Sequence, residues 1–260
     1  MILIFVRTPD DRKKHLRPLL ALQTRELVRN TSYFIFVIIF PFGMAGMFLL
    51  MSEMMKGQAD APDFSPFVMP MALFLAVTGT ALTMTAGPLA EVRQSGALRV
   101  LSTTPIRKAD YLMTYLAVRL IMATLQILVI VGASVLLNLL PFKDVGRVFV
   151  VSLLGLIMFL ALGYLMGGWL SSPQLATNLG ALVQLLALFL SGLAIPFAIL
   201  PDWLTNVIRW IPSTLFGDLI FWASKNPLQQ TGAMLSTSIV LAVTAVLVFL
   251  AVRGFKWDVE

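Results

Sequence analysis

Six long stretches almost free of charge constrain this chain more than any other feature. They run over residues 33–51, 67–90, 112–140, 148–170, 175–200 and 232–252. Each meets the requirement of about twenty apolar residues for a helix to cross the hydrocarbon core of a bilayer. The ten-residue alternation of a membrane barrel is absent, so the spans are expected to be helices. Pro41 and Gly43 predict a kink in the first. Composition agrees, with 58% of the 260 residues hydrophobic and only 12% charged, against about a quarter charged in soluble domains. The expected fold is an all-α polytopic membrane protein, one domain over residues 1–260 with six transmembrane helices.

Orientation follows from the cations. Of the 19 Lys and Arg residues, five (Lys56, Lys143, Arg147, Arg209 and Lys225) fall on one side. The other fourteen precede the first span, lie in 91–110, sit at Arg119 or follow the last span. The positive-inside rule then places both termini and the 91–110 loop in the cytoplasm, with the chain a multi-pass protein of the inner, cytoplasmic membrane. The net charge of +6 is accordingly ascribed to topology and anionic lipid, not nucleic acid. The opening MILIFV is too short for a signal-peptide core and is followed by charge, not by a cleavage site. Arg119, near the cytoplasmic end of the third span, is expected to snorkel to the interface.

Two further helices are expected to lie in the membrane surface. Over residues 10–30, Leu16, Leu19, Leu20 and Leu27 form one stripe, with Lys14, Arg25 and Arg29 opposite and Pro18 in the first turn. That is an amphipathic interfacial helix. On the outer side, residues 200–212 predict a short interfacial or re-entrant helix begun by Pro201 and stopped by Pro212. Trp203, Leu204, Val207, Ile208, Trp210 and Ile211 share its apolar face.

Most catalytic chemistries are excluded. With no cysteine and one histidine (His15), there can be no disulfide, thiolate site or multi-histidine metal site, and no metal ligands or catalytic residues are assigned. No acid pair lies at membrane depth, which argues against a proton relay. No phosphate-binding loop of the form GxxxxGK[ST] occurs, so ATP hydrolysis by this chain alone is not expected. The polar residues of the spans, such as Thr80 and Thr85, suit hydrogen bonds between helices. Thr78, Thr83, Gln126, Asn178 and Gln184 are also the candidates for lining a translocation path.

The loop between the second and third spans, EVRQSGALRVLSTTPIRKAD over residues 91–110, is too elaborate for a connector. It has a helix-forming core over 94–101, a Ser-Thr-Thr-Pro stop and a second basic group. The other cytoplasmic loop, Ser171-Ser172-Pro173-Gln174, carries no charge. A cytoplasmic partner is therefore expected on the first loop, on the N-terminal helix, or on both.

These features resemble the membrane permease subunits of type-2 ATP-binding-cassette transporters, mostly exporters. The resemblance covers nearly the whole chain and is sharpest from Arg93-Gln94-Ser95-Gly96-Ala97-Leu98-Arg99-Val100-Leu101 to Thr104-Pro105. Gln94 stands where the family usually has Glu, and Ala97 where it has Thr. The run Ser191-Gly192-Leu193, Pro196, Leu200-Pro201 and Trp203-Leu204 is similar to the family's outer re-entrant region.

The resemblance implies that the loop forms a coupling helix seated in a separate ABC ATPase subunit, with Glu91, Arg93, Gln94, Gly96, Leu98, Arg99, Leu101, Pro105 and Arg107 at the contact. It implies that Arg17, Arg25 and Arg29 lie on a connecting helix beside it. ATP and Mg would be held by the ATPase and no cofactor by this chain. A second permease copy, identical or homologous, would complete the unit within membrane lipids. The expected function is ATP-driven export of an amphipathic small molecule such as a drug or natural product. Lipid-linked polysaccharide is the second substrate class, and a non-transporting scaffold or an ion-coupled carrier the different classes.

Overall fold

The apolar runs become helices whose lengths match a bilayer, and the second of them forms the centre of the bundle. The computed structural model describes residues 18–26, 29, 31–55, 64–96, 108–195, 197 and 200–254. A short helix α1 covers residues 18–26. Span 1 is α2 (Thr31–Met55). Span 2 is one long path made of α3 (Ser65–Thr78), a π-helical turn (Gly79–Thr83) and α4 (Met84–Gln94). Span 3 is α5 (Lys108–Leu136), span 4 is α6 (Val145–Trp169) and span 5 is α7 (Pro173–Leu190). Two short helices follow, α8 (Asp202–Ile208) and α9 (Pro212–Ala223), before span 6, α10 (Ala233–Arg253). Among the described residues there is no strand. Six of the helical segments are long and apolar enough to cross a membrane, and the protein is an all-α, multi-pass membrane protein.

The spans are unequally enclosed. The most apolar window of span 2 is entirely buried, whereas in spans 1, 5 and 6 only 17%, 22% and 22% of the equivalent window is covered. Span 2 packs against α2, α5, α6 and α7 together. It is therefore the element on which spans 1, 3, 4 and 5 converge, while span 6 packs on span 4 and α9. Small residues permit this close packing. A Cβ on Gly163 of α6 would stand 2.0 Å from the Ala81 carbonyl oxygen of the π turn, so only glycine lets the two backbones meet there.

Toward the end opposite residues 91–96, Phe74 of α3, Phe159 of α6 and Phe216 of α9 form a closed aromatic trio. Their ring centroids are 5.6 to 6.0 Å apart, within the range in which edge and tilted contacts stabilise.

Three sequence expectations need correction here. Span 5 ends at Leu190 and does not run on to residue 200, because Gly192 turns the chain at φ +77° and the Ser191 hydroxyl caps the Leu188 carbonyl. Pro212 does not stop a helix; it begins α9, at the first turn where its missing N–H costs nothing. The interfacial helix expected over 200–212 is only Asp202–Ile208. Its Ile208 is buried, while its Trp203 and Val207, and Trp210 in the turn that follows, are exposed.

Candidate functional site

At the end of the bundle that holds residues 91–96, the last turn of α4 carries the first of the expected coupling residues. Glu91 and Gln94 are exposed, and the helix stops at Gly96, whose φ of +71° is the left-handed conformation glycine adopts without strain. The Ser95 and Gly96 N–H groups close the end on the Glu91 and Arg93 carbonyls. The expected helical core over 94–101 is thus divided at its start: Gln94 completes span 2 and Gly96 leaves it. Leu98, Arg99, Leu101, Pro105 and Arg107 lie outside the described residues.

Arg93 points inward. It is 5% exposed, and its Nη1 donates to the carbonyls of Gly167 and Leu170, each at 3.0 Å. Those are last-turn carbonyls of α6, where no helical N–H remains and the helix dipole is negative, so a guanidinium caps them well. Beside it, Trp169 Nε1 donates to the Gly254 carbonyl at the end of α10, 2.6 Å away. The ends of α4, α6 and α10 are thereby tied together.

Helix α1 packs on the same end. Leu19 is buried among Leu89, Val92, Tyr111, Leu112 and Tyr115, and Leu20 packs near Val37, Met84 and Val118. Arg25 and Arg29 are exposed, as the amphipathic pattern requires; Arg17 lies outside the described residues. Gln23, in the middle of the apolar stripe, is almost wholly buried against Tyr111. Nothing in the hydrophobic pattern marks it.

Arg119 does not snorkel. It is 4% exposed and folds over Tyr115, with its guanidinium carbon 3.2 Å from the ring centroid. Its Nε donates to the Met84 carbonyl at 3.1 Å and its Nη1 to the Tyr115 carbonyl at 3.2 Å. The expectation failed because acceptors exist inside the bundle, and a charge that finds hydrogen bonds there has less need to reach water.

The path candidates divide into two groups. On one side of span 2, Gln126 donates to the Val37 and Ile38 carbonyls and accepts from Thr80. On the other, Thr83 donates to Gln184 Oε1 at 2.8 Å. Thr78 is fully buried and donates to the Phe74 carbonyl in its own helix. Asn178 lies on the exposed face of α7, paired with Gln174. One chain therefore does not bring these five residues around a common lumen. An apolar groove of about 420 Å³ does open between α5, α6 and α10, lined by Leu112, Leu116, Leu160, Tyr164, Val248 and Ala251 among others.

The opposite end holds polar contacts that went unforeseen with α9. Asp218 is buried and accepts from the Gln230 and Thr231 N–H groups at 2.6 and 2.9 Å. Burial holds its carboxyl above the ordinary carboxylate range, with these hydrogen bonds acting in the other direction. Asp144, 1% exposed, pairs with Arg147 at 3.2 Å and Lys225 at 3.5 Å. The apolar run after Pro212 was the available signal for α9. Among the described residues, no group of three or more His, Cys, Asp or Glu side chains could hold a metal.

The architecture is that of a membrane-embedded transport domain: six spans, the second of them buried among the first, third, fourth and fifth, with polar side chains engaged between helices. The chain belongs to the ABC-2 family transporter proteins, whose family model matches residues 50–253. It is thus a permease of an ABC transporter, the transport subunit and not itself the ATPase, and membership implies an ABC ATPase partner. A search of curated proteins finds no match.

Proposed function

We propose that this permease is the membrane half of an ATP-driven exporter for an amphipathic small molecule. Residues 91–107 dock on the ATPase and a second copy completes the path. The observation that carries the reading is the tie between helix ends: Arg93 joins the end of span 2 to α6, and Trp169 joins α6 to α10. A push on residues 91–96 is then felt by three spans at once. Differential affinity of two ATPase states for this segment would shift the permease between its conformations. The apolar groove suits an amphipathic cargo entering from lipid, and the exposed α7 face with Gln174 and Asn178 suits a lining completed by the second copy. The proposed setting is the inner membrane, with both termini and residues 91–110 in the cytoplasm.

The test uses the full chain co-expressed with the ATPase subunit that purifies with it. Arg99→Glu, or Leu98→Asp with Leu101→Asp, should abolish co-purification and ATP-dependent transport in proteoliposomes while leaving membrane insertion intact. Unchanged assembly and transport would remove the docking role. Transport driven by a proton gradient without nucleotide would overturn the ATP-driven reading.

A further inference from the structure

Three prolines lie inside the described helices: Pro41 in α2, Pro70 in α3 and Pro88 in α4. A proline lacks the N–H that would bond the carbonyl four residues earlier. Within a bilayer no water replaces that donor, and an unsatisfied carbonyl is costly. The carbonyls concerned are those of Val37, Pro66 and Met84.

Each accepts from a side chain on another element. Gln126 Nε2 donates to the Val37 carbonyl at 3.1 Å. Asn226 Nδ2 donates to the Pro66 carbonyl at 2.8 Å. Arg119 Nε donates to the Met84 carbonyl at 3.1 Å. These donors are 85, 156 and 31 residues from the prolines whose missing N–H they replace.

We propose that Gln126, Asn226 and Arg119 are positioning residues that stand in for the absent proline N–H groups. Each clamps a broken helical turn to a neighbouring element. The Arg119 clamp has the most consequence, because Pro88 follows the π turn closely and precedes residues 91–96. Span 2 departs from α-helical bonding over the π turn Gly79–Thr83 and loses one further helical bond at Pro88, which would make a hinge of the turn between them. Span 3 closes that hinge at two successive carbonyls. Arg119 takes Met84, and the Tyr115 hydroxyl takes Thr85 at 2.8 Å. Arg119 and Gln126 are seven residues apart, so one face of α5 holds both spans 1 and 2. Resting on the reading of 91–96 as the ATPase-coupled segment, the Arg119 clamp makes α4 and α5 move as one lever.

The test is a matched-proline cycle on the full chain. Arg119→Met and Gln126→Met are each made alone, with their own proline changed (Pro88→Ala and Pro41→Ala respectively), and with the other's proline changed. Alanine restores the N–H, so the orphaned carbonyl no longer needs the side chain. Each single loss should lower the thermal midpoint in detergent by about 5 °C. The matched alanine should recover at least half of that loss, and the mismatched alanine none of it. Equal recovery from both alanines, or from neither, would overturn the proposal. Should Arg119→Met fail to fold, the uncharged Gln126 and Pro41 pair carries the same comparison. In the assembled complex, Arg119→Met should lower transport per ATP hydrolysed by about threefold, and Pro88→Ala should return it toward the wild-type ratio. A matched recovery of stability with no ATPase assembly by the wild type would leave the clamp standing and remove the coupling reading alone.

Discussion

Arg93 and Leu170 mark where the end of span 2 is fastened to the end of span 4: a guanidinium nitrogen 3.0 Å from the carbonyl of the residue that caps α6. The same nitrogen serves Gly167 at the same distance. Arg93 was expected to face a partner protein, yet its side chain is held within the chain. Charge-assisted hydrogen bonds to buried carbonyls contribute about 1.5–3 kcal/mol. Arg93→Met should therefore lower stability by roughly that amount and raise hydrogen exchange across residues 167–172. Arg93→Lys should fall between, since an ammonium is a poorer match to a cap built for a planar fork. Thermal unfolding and exchange mass spectrometry measure both, and wild-type exchange rates in Arg93→Met would rule out the cap.

The Thr83 and Gln184 pair gives a second expectation. A hydrogen bond between membrane helices contributes about 0.6 kcal/mol on average and about 1.7 at most. Thr83→Val and Gln184→Leu should each destabilise, and the double variant should cost less than the two added together. Asn178→Ala, on the exposed face of α7, should change stability by less than about 0.5 kcal/mol. A transport defect in Asn178→Ala at unchanged stability would place that face on the cargo's route.

Asp218 predicts a pH dependence whose sign is fixed by its environment. Burial raises its pKa above the unfolded value, so the folded chain binds more protons than the unfolded one between the two values. By linkage, this group's contribution is fully present below the unfolded pKa and is lost as pH rises through the folded one. Wild-type chain should therefore gain stability relative to Asp218→Asn as pH is lowered through that window. Parallel stability profiles for the two proteins would show that the carboxyl is not perturbed.

Much of this fold could be read in advance, because span length and helical periodicity are local properties. The six spans and the amphipathic face carrying Leu19 and Arg25 follow the pattern, except that the fifth span ends at Leu190, ten residues short of the apolar run. What failed was non-local. Arg119 looked like a snorkelling residue because nothing within span 3 shows that Pro88, 31 residues earlier, leaves Met84 in need of a donor. Helix α9 was missed because proline marks both helix starts and stops, and the twelve residues it opens are too few to read as a span. The proposed docking site was legible only as a motif: Glu91 and Gln94 are exposed at the end of α4 and Gly96 turns the chain there, Arg93 faces inward, and Leu98, Arg99 and Leu101 lie outside the described residues.

Gly163 supplies the sharpest test of the packing around span 2. A methyl group there would meet the Ala81 carbonyl oxygen at 2.0 Å, with Leu82 backbone close behind. Neither is a flexible side-chain end, so relief requires α6 to move away from the π turn. Gly163→Ala should cost upward of about 3 kcal/mol and reduce the yield of monodisperse protein. Gly43→Ala, where a Cβ meets nothing within 4 Å, is the control. It should leave stability unchanged or raise it by up to about 1 kcal/mol, since alanine favours the helix. Both variants behaving alike on size-exclusion chromatography and thermal unfolding would show that the close contact between span 4 and the π turn is not what holds the bundle's centre together.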